Sequence, residues 1–176
     1  MGNIKEFYSL QRVVEAYRSK LHTLPESQFA QTPPAGGWSA SEVYAHIFDA
    51  SLLSLKALNE CLEGRGANRP TPFVTKMILF FGAFPPGIRF KTPKMLEGRV
   101  KVITKTEVAD LIRQFTEELE AMRVKIARAN PNVKSKHPRL GYLNANQWLR
   151  FIGIHLRHHL KQLKRVEKSL QPVKNS

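Results

Sequence analysis

Trp148-Leu-Arg-Phe-Ile-Gly-Ile-His155-Leu-Arg-His158-His159-Leu-Lys-Gln162-Leu-Lys-Arg-Val166 is the stretch on which the reading of this chain turns. At helical period, Trp148, Ile152, His155, His159, Leu163, Val166 and Leu170 share one stripe, with every spacing three or four, as an inward-facing helix requires. Two places on that stripe, where Leu or Ile would be ordinary, are histidine. His155 and His159 stand one turn apart on one face, so their imidazoles can converge on a single point. An unpartnered buried polar group costs on the order of 1–3 kcal/mol. A bound metal ion would satisfy both rings at once; a hydrogen bond to backbone or water would satisfy each separately.

Working outward, four helix starts carry a capping residue followed three positions later by Glu or Gln. Asn3 with Glu6 opens a helix expected over roughly 4–24, whose stripe is Phe7, Leu10, Val14, Tyr17, Leu21 and Leu24. Ser39 with Glu42 opens a second over 40–62, with Trp38 ahead of the cap as a hydrophobic staple. Its stripe runs Val43, His46, Ala50, Leu53, Ala57 and Cys61, and so carries a third inward histidine. Thr104 with Glu107 opens a third over 105–129, with Val108, Leu111, Phe115, Leu119, Met122 and Ile126 facing inward. Asn144 with Gln147 opens the fourth over 145–169. Of the other histidines, His22 falls at a helix C-terminus, His137 in a loop, and His158 one step off the stripe.

Residues 64–103 break regular structure with repeated Gly and Pro. A short apolar helix is expected between Pro72 and Pro85, packed on the bundle, with short strands around 88–90 and 99–103. A connection of this length inside a compact domain is commonly a crossover or a lid; the stretch Phe73–Phe84 is expected to cover the end nearest the histidines. The whole, residues 1–176, reads as a single all-α domain, a four-helix bundle with a long irregular crossover between its second and third helices.

The formal charge is +14, unevenly spread. Residues 64–106 hold nine basic and one acidic side chain, and residues 121–176 hold thirteen and one. Such a surface attracts anions, and a non-enzymatic anion or nucleic-acid binder using residues 121–176 is the alternative function. Aromatics are not interleaved with the basic residues as a base-stacking platform needs, so no specific nucleic-acid partner is expected. A single cysteine, Cys61, rules out an intramolecular disulfide and fits a reducing compartment. No run is long enough for a bilayer span or a signal peptide, so a cytoplasmic protein without a membrane partner is expected. There is no glycine-rich phosphate loop, CxxC pair or nucleophilic-serine elbow. The oligomeric state is left open, a homodimer included.

Three neutral imidazoles, His46, His155 and His159, suit a divalent transition metal such as Zn, Ni or Fe, and three protein ligands leave a position open for water or substrate. Asp49, one turn after His46, stands where a catalytic general base or a ligand-orienting carboxylate would; a solvated helix charge is its plainer reading. Cys61 lies about four turns from His46, too far to share that site.

The run Gly37-Trp38-Ser39-Ala-Ser-Glu42-Val-Tyr-Ala-His46, with Gly141-Tyr-Leu-Asn-Ala-Asn-Gln147-Trp148 leading into His155-Leu-Arg-His158-His159-Leu-Lys-Gln162, resembles the DinB-like (DinB/YfiT) superfamily. The resemblance spans the chain in order. It implies a four-helix bundle whose metal ligands are one histidine on the second helix and two, four apart, on the last: His46, His155 and His159 by motif position. It implies metal-dependent enzymes, among them hydrolases and transferases that use low-molecular-weight thiols, acting on small molecules. The Pro-rich basic segment between the second and third helices departs from the family, so no substrate carries over from any member.

Overall fold

The computed structural model describes residues 2–85 and 100–171. Among these described residues, six helices and one hairpin follow in order: α1 Gly2–Thr23, α2 Glu26–Phe29, α3 Ala40–Leu62, α4 Phe73–Phe81, α5 Lys105–Ala127, β1 Lys134–His137, β2 Gly141–Asn144 and α6 Ala145–Ser169. Three of the four expected caps form complete capping boxes, Ser39 with Glu42, Thr104 with Glu107 and Asn144 with Gln147. Each satisfies two amide donors that a helix start otherwise leaves open. The fourth expected start differs in position, since α1 already begins at Gly2, ahead of Asn3. Glu6 pairs with Arg150 of α6.

The long helices α1, α3, α5 and α6 make the four-helix bundle. Round the bundle the order is α1, α6, α3, α5, so α3 lies between the last two helices and α1 faces it across the diagonal. The expected stripes of α1 and α6 point inward: Phe7, Leu10, Val14 and Tyr17 on the first, Trp148, Ile152 and Leu163 on the last, are all buried. α3 is buried far beyond its one stripe, with Tyr44, Ile47, Phe48, Leu55 and Leu58 also closed off. Neighbours on two sides and a hairpin on a third leave it little solvent face. Tyr residues bind the diagonal pair to α6: Tyr44 Oη donates to the Tyr17 carbonyl at 2.9 Å, and Tyr17 Oη donates to the Leu156 carbonyl at 2.7 Å.

Among the described residues, strand structure lies in the hairpin of β1 and β2. Residues 100–103 form no strand, and 86–99, which hold the other expected strand, lie outside the described residues. The strands are β1 and β2, antiparallel with Ser135 opposite Leu143. Only those two residues of the eight are buried, so the alternation is too short to register as a strand pattern. The hairpin docks by polar contacts: Ser135 Oγ donates to the Ala57 carbonyl and accepts from Trp148 Nε1, each at 2.7 Å. Cys61 is buried there, its Sγ 3.4 Å from Ser135 Oγ, and burial pushes its thiol pKa up.

The irregular connection contains the expected short helix, α4, over Phe73–Phe81. Ile78 and Leu79 are buried, and α4 lies against α6. Arg150 anchors its end, Nε donating to the Leu79 carbonyl at 2.8 Å and Nη2 reaching the Phe80 carbonyl at 3.4 Å. These are carbonyls that a helix end leaves without partners. Gly82 then turns the chain at φ +68°, and a Cβ there would lie 3.1 Å from Arg150 Nη2. Only part of α4 packs as expected, for Val74 and Phe81 face outward.

Candidate metal centre

α3 and α6 are neighbours in the bundle, and their inward histidines meet between them. One ring nitrogen from each of His46, His155 and His159 lies within 4.8 Å of the others. His46 and His159 are buried, and His155 is partly exposed. The ring centroids of His155 and His159 are 4.7 Å apart, and that of His46 is 4.9 Å from His159 and 5.6 Å from His155. Helical phase had placed all three on inward stripes; the packing of α3 on α6 brings them to one point.

The hydrogen bonding decides which nitrogens are free. Gln162, three residues beyond His159, sets its amide Oε1 2.8 Å from His159 Nδ1. A carbonyl oxygen only accepts, so Nδ1 carries the proton and the neutral ring keeps its lone pair on Nε2. That Nε2 faces His155 Nε2 at 3.1 Å. Tetrahedral zinc with Zn–N of about 2.0–2.1 Å holds two ligand nitrogens about 3.3 Å apart. The His155–His159 pair therefore stands at ligand spacing, and its outer nitrogen is held by a carbonyl as ligating histidines require. The donor set fits a divalent transition metal.

Electrostatics point the same way. Burial lowers His159 to about 3, with His46 and His158 adding to the shift and Gln162 opposing it. Burial, then His159, His46, His158 and His137, hold His155 well below the ordinary imidazole value. His46 is lowered by burial, and the Asp49 carboxylate partly offsets this. All three rings are thus neutral at pH 7, the state in which imidazole ligates. Asp49 stands close enough for its charge to act on His46.

Aromatic rings wall the site. Trp38 lies 5.0 Å from His46, so the residue expected to staple the helix start packs on the histidine one turn further in. Phe151 stacks on His155 at 5.5 Å with 19° between planes. Phe84, from the connection after α4, lies 6.4 Å from His155 and 5.5 Å from His158. Of the stretch Phe73–Phe84 expected to cover the histidines, Phe84 brings its ring to them. His158 is exposed, its ring 5.2 Å from that of His159. His137 is not in a loop: it ends β1, and its Nδ1 accepts from the Arg139 and Leu140 amides at 3.1 and 3.0 Å, closing the hairpin turn. Its pairing with Gly141 makes the strand, which four residues cannot announce. Gln162 is the site residue that reasoning from inward stripes passes over, since it lies off the stripe; its signal is only its place one turn after His159.

A bundle of four long helices with three imidazoles converging between the second and last of them is a class of interhelical metal-site protein. The sequence pattern of the DinB superfamily matches residues 9–163, and the chain belongs to that superfamily. It is similar to the uncharacterized protein YuaE of Bacillus subtilis (strain 168), 26% identical over 160 residues, covering 87% of this chain and 91% of YuaE. Two solved structures share the fold. YfiT from Bacillus subtilis, described as a probable metal-dependent hydrolase with an unusual four-helix bundle topology, aligns with a TM-score of 0.65 at 16% identity, over 94% of this chain and 86% of YfiT. TT2238, a four-helix bundle protein, aligns with a TM-score of 0.59 at 18% identity, over 92% of this chain and 97% of its own.

Proposed function

We propose that the chain is a metal-dependent enzyme acting on a small molecule, as a hydrolase or as a transferase that uses a low-molecular-weight thiol. The observation that carries this reading is the convergence of three neutral imidazole nitrogens within 4.8 Å at the interface of α3 and α6. His46, His155 and His159 would hold a divalent transition metal, and Gln162 would fix the His159 tautomer. Such an ion supplies Lewis acidity, which brings the pKa of water toward ~7 and favours the thiolate of a thiol. Three protein ligands leave room for one of these beside the substrate. Asp49, whose charge acts on His46, would orient His46 or take a proton from the incoming group. Trp38, Phe84 and Phe151 exclude water from the flanks, which strengthens every charge interaction inside. The relation to YfiT supports the hydrolase branch.

Metal analysis of protein purified with neither added metal nor chelator tests the first part; about one equivalent per chain is expected. Substrate turnover by the metal-loaded protein, with and without a thiol, separates the branches. Stoichiometric failure to bind zinc, nickel or iron would refute the proposal.

A further inference from the structure

Helix α4 presents an apolar face away from the bundle. Phe73 is 74% exposed and Phe80 77%, and Val74, Met77 and Phe81 are exposed with them. At 100° per residue these five fall on one continuous arc of about 120°, with exposed Lys76 at its edge. Thr75, Ile78 and Leu79 occupy the opposite side and face the protein. Burial has therefore sorted α4 into a seated face and an outward one, and the outward one is the more aromatic. Contiguous exposed apolar surface of this kind marks an interaction site.

The surroundings select the partner. No acidic residue occurs in 64–85 or in 128–144, the two stretches that carry α4 and the hairpin beside it. The hairpin touches α4 directly: Thr75 Oγ1 donates to the Leu140 carbonyl at 2.7 Å, and Thr71 Oγ1 donates to the Tyr142 carbonyl at 2.8 Å. Arg69, Lys136 and Arg139 are exposed on these stretches, alongside Lys76. We infer that α4 is an interfacial anchor that seats this protein on an anionic lipid surface, its Phe73, Met77, Phe80 and Phe81 entering the headgroup boundary while Arg69, Lys76, Lys136 and Arg139 meet the lipid charge. An apolar arc with a cation at its edge, beside basic stretches that carry no acid, is the pattern of such a surface. A nucleic acid would use the cations and leave the apolar arc in water. No membrane partner is expected from sequence because no run can span, and among the described residues no helix is long and apolar enough to cross a membrane; a surface contact needs neither.

The test is sedimentation of the full chain with vesicles of phosphatidylcholine alone or mixed with phosphatidylserine, over a range of salt. The expected result is binding to the mixed vesicles that exceeds binding to phosphatidylcholine and weakens as salt rises. The double variant Phe73→Ser/Phe80→Ser should lose on the order of tenfold or more in partitioning, and Lys76→Glu/Arg139→Glu should also weaken it. Both variants alter exposed side chains, so helix content and thermal midpoint should stay unchanged. Four results would overturn the inference: no binding to the mixed vesicles; binding that the Phe variant retains; a wild-type dimer in sedimentation equilibrium that the Phe variant abolishes, which assigns the face to a second copy; or a marked fall in thermal midpoint of the Phe variant, which assigns it to the chain's own residues.

Discussion

His159 Nδ1 and Gln162 Oε1 lie 2.8 Å apart, one helical turn from each other on α6, and this bond turns the His159 Nε2 lone pair toward His155. Losing such an outer partner commonly costs a metal site 10–100-fold in affinity. Gln162→Leu should lower metal affinity by about that factor, and Gln162→Glu, which keeps an acceptor, should restore most of it. Competition against a chromophoric chelator measures both.

Helical phase separates the three neighbouring histidines of α6. His155→Ala or His159→Ala should abolish stoichiometric metal binding, as should His46→Ala, with the helical circular dichroism retained. His158 is exposed and lies outside the three-nitrogen cluster, so His158→Ala should leave metal content close to wild type. Release of metal by His158→Ala with retention by His159→Ala would reverse this assignment of ligands.

In the metal-free protein, acid should destabilise the fold through its buried imidazoles. His159 is lowered to about 3 and His137 to about 4, each chiefly by burial, against an ordinary value of 6.5. Between those limits the unfolded chain binds more protons than the folded one, so stability rises with pH across the window. It is complete above about 6.5 and is lost progressively as pH falls toward 4 and 3. The urea midpoint of the metal-free protein should therefore be lower at pH 5 than at pH 7.5, and metal binding should weaken in the same direction.

Tyr17 joins α1 to α6 through its hydroxyl, which donates to the Leu156 carbonyl at 2.7 Å inside the core. Tyr17→Phe removes the donor and leaves the ring packed against Tyr44 and Phe48, at 5.5 and 5.3 Å between centroids. A cost of about 0.5–1.5 kcal/mol is expected in urea unfolding.

Arg150 ties α4 to the bundle through the Leu79 and Phe80 carbonyls and through Glu6. Arg150→Met should therefore loosen α4 more than the bundle. Limited chymotrypsin digestion should cut at Phe80 or Phe81 faster in the variant, while the global unfolding midpoint moves little. A variant cut no faster than wild type would show that Ile78 and Leu79 hold α4 unaided.

The four long helices, three of their caps and the inward phase of His46, His155 and His159 are written in residue order, because each depends on neighbours three or four positions away. The spacing of hydrophobic residues and the capping side chains act within a turn or two of helix, so sequence alone determines them. Convergence of the three rings is different in kind. It needs α3 beside α6, and the sequence of helices does not say which of them touch; only in the packed bundle do α1 and α3 each lie against both α5 and α6, which sets α3 beside α6 and α1 across the diagonal. The hairpin was hidden for a related reason, since its inward residues are only Ser135 and Leu143 and its seat is made by bonds to distant Ala57 and Trp148. α4 shows the limit most clearly. Nearly every residue of Phe73–Phe81 is apolar, so composition marks it for burial, yet a helix has two faces and the bundle offered room for only one of them.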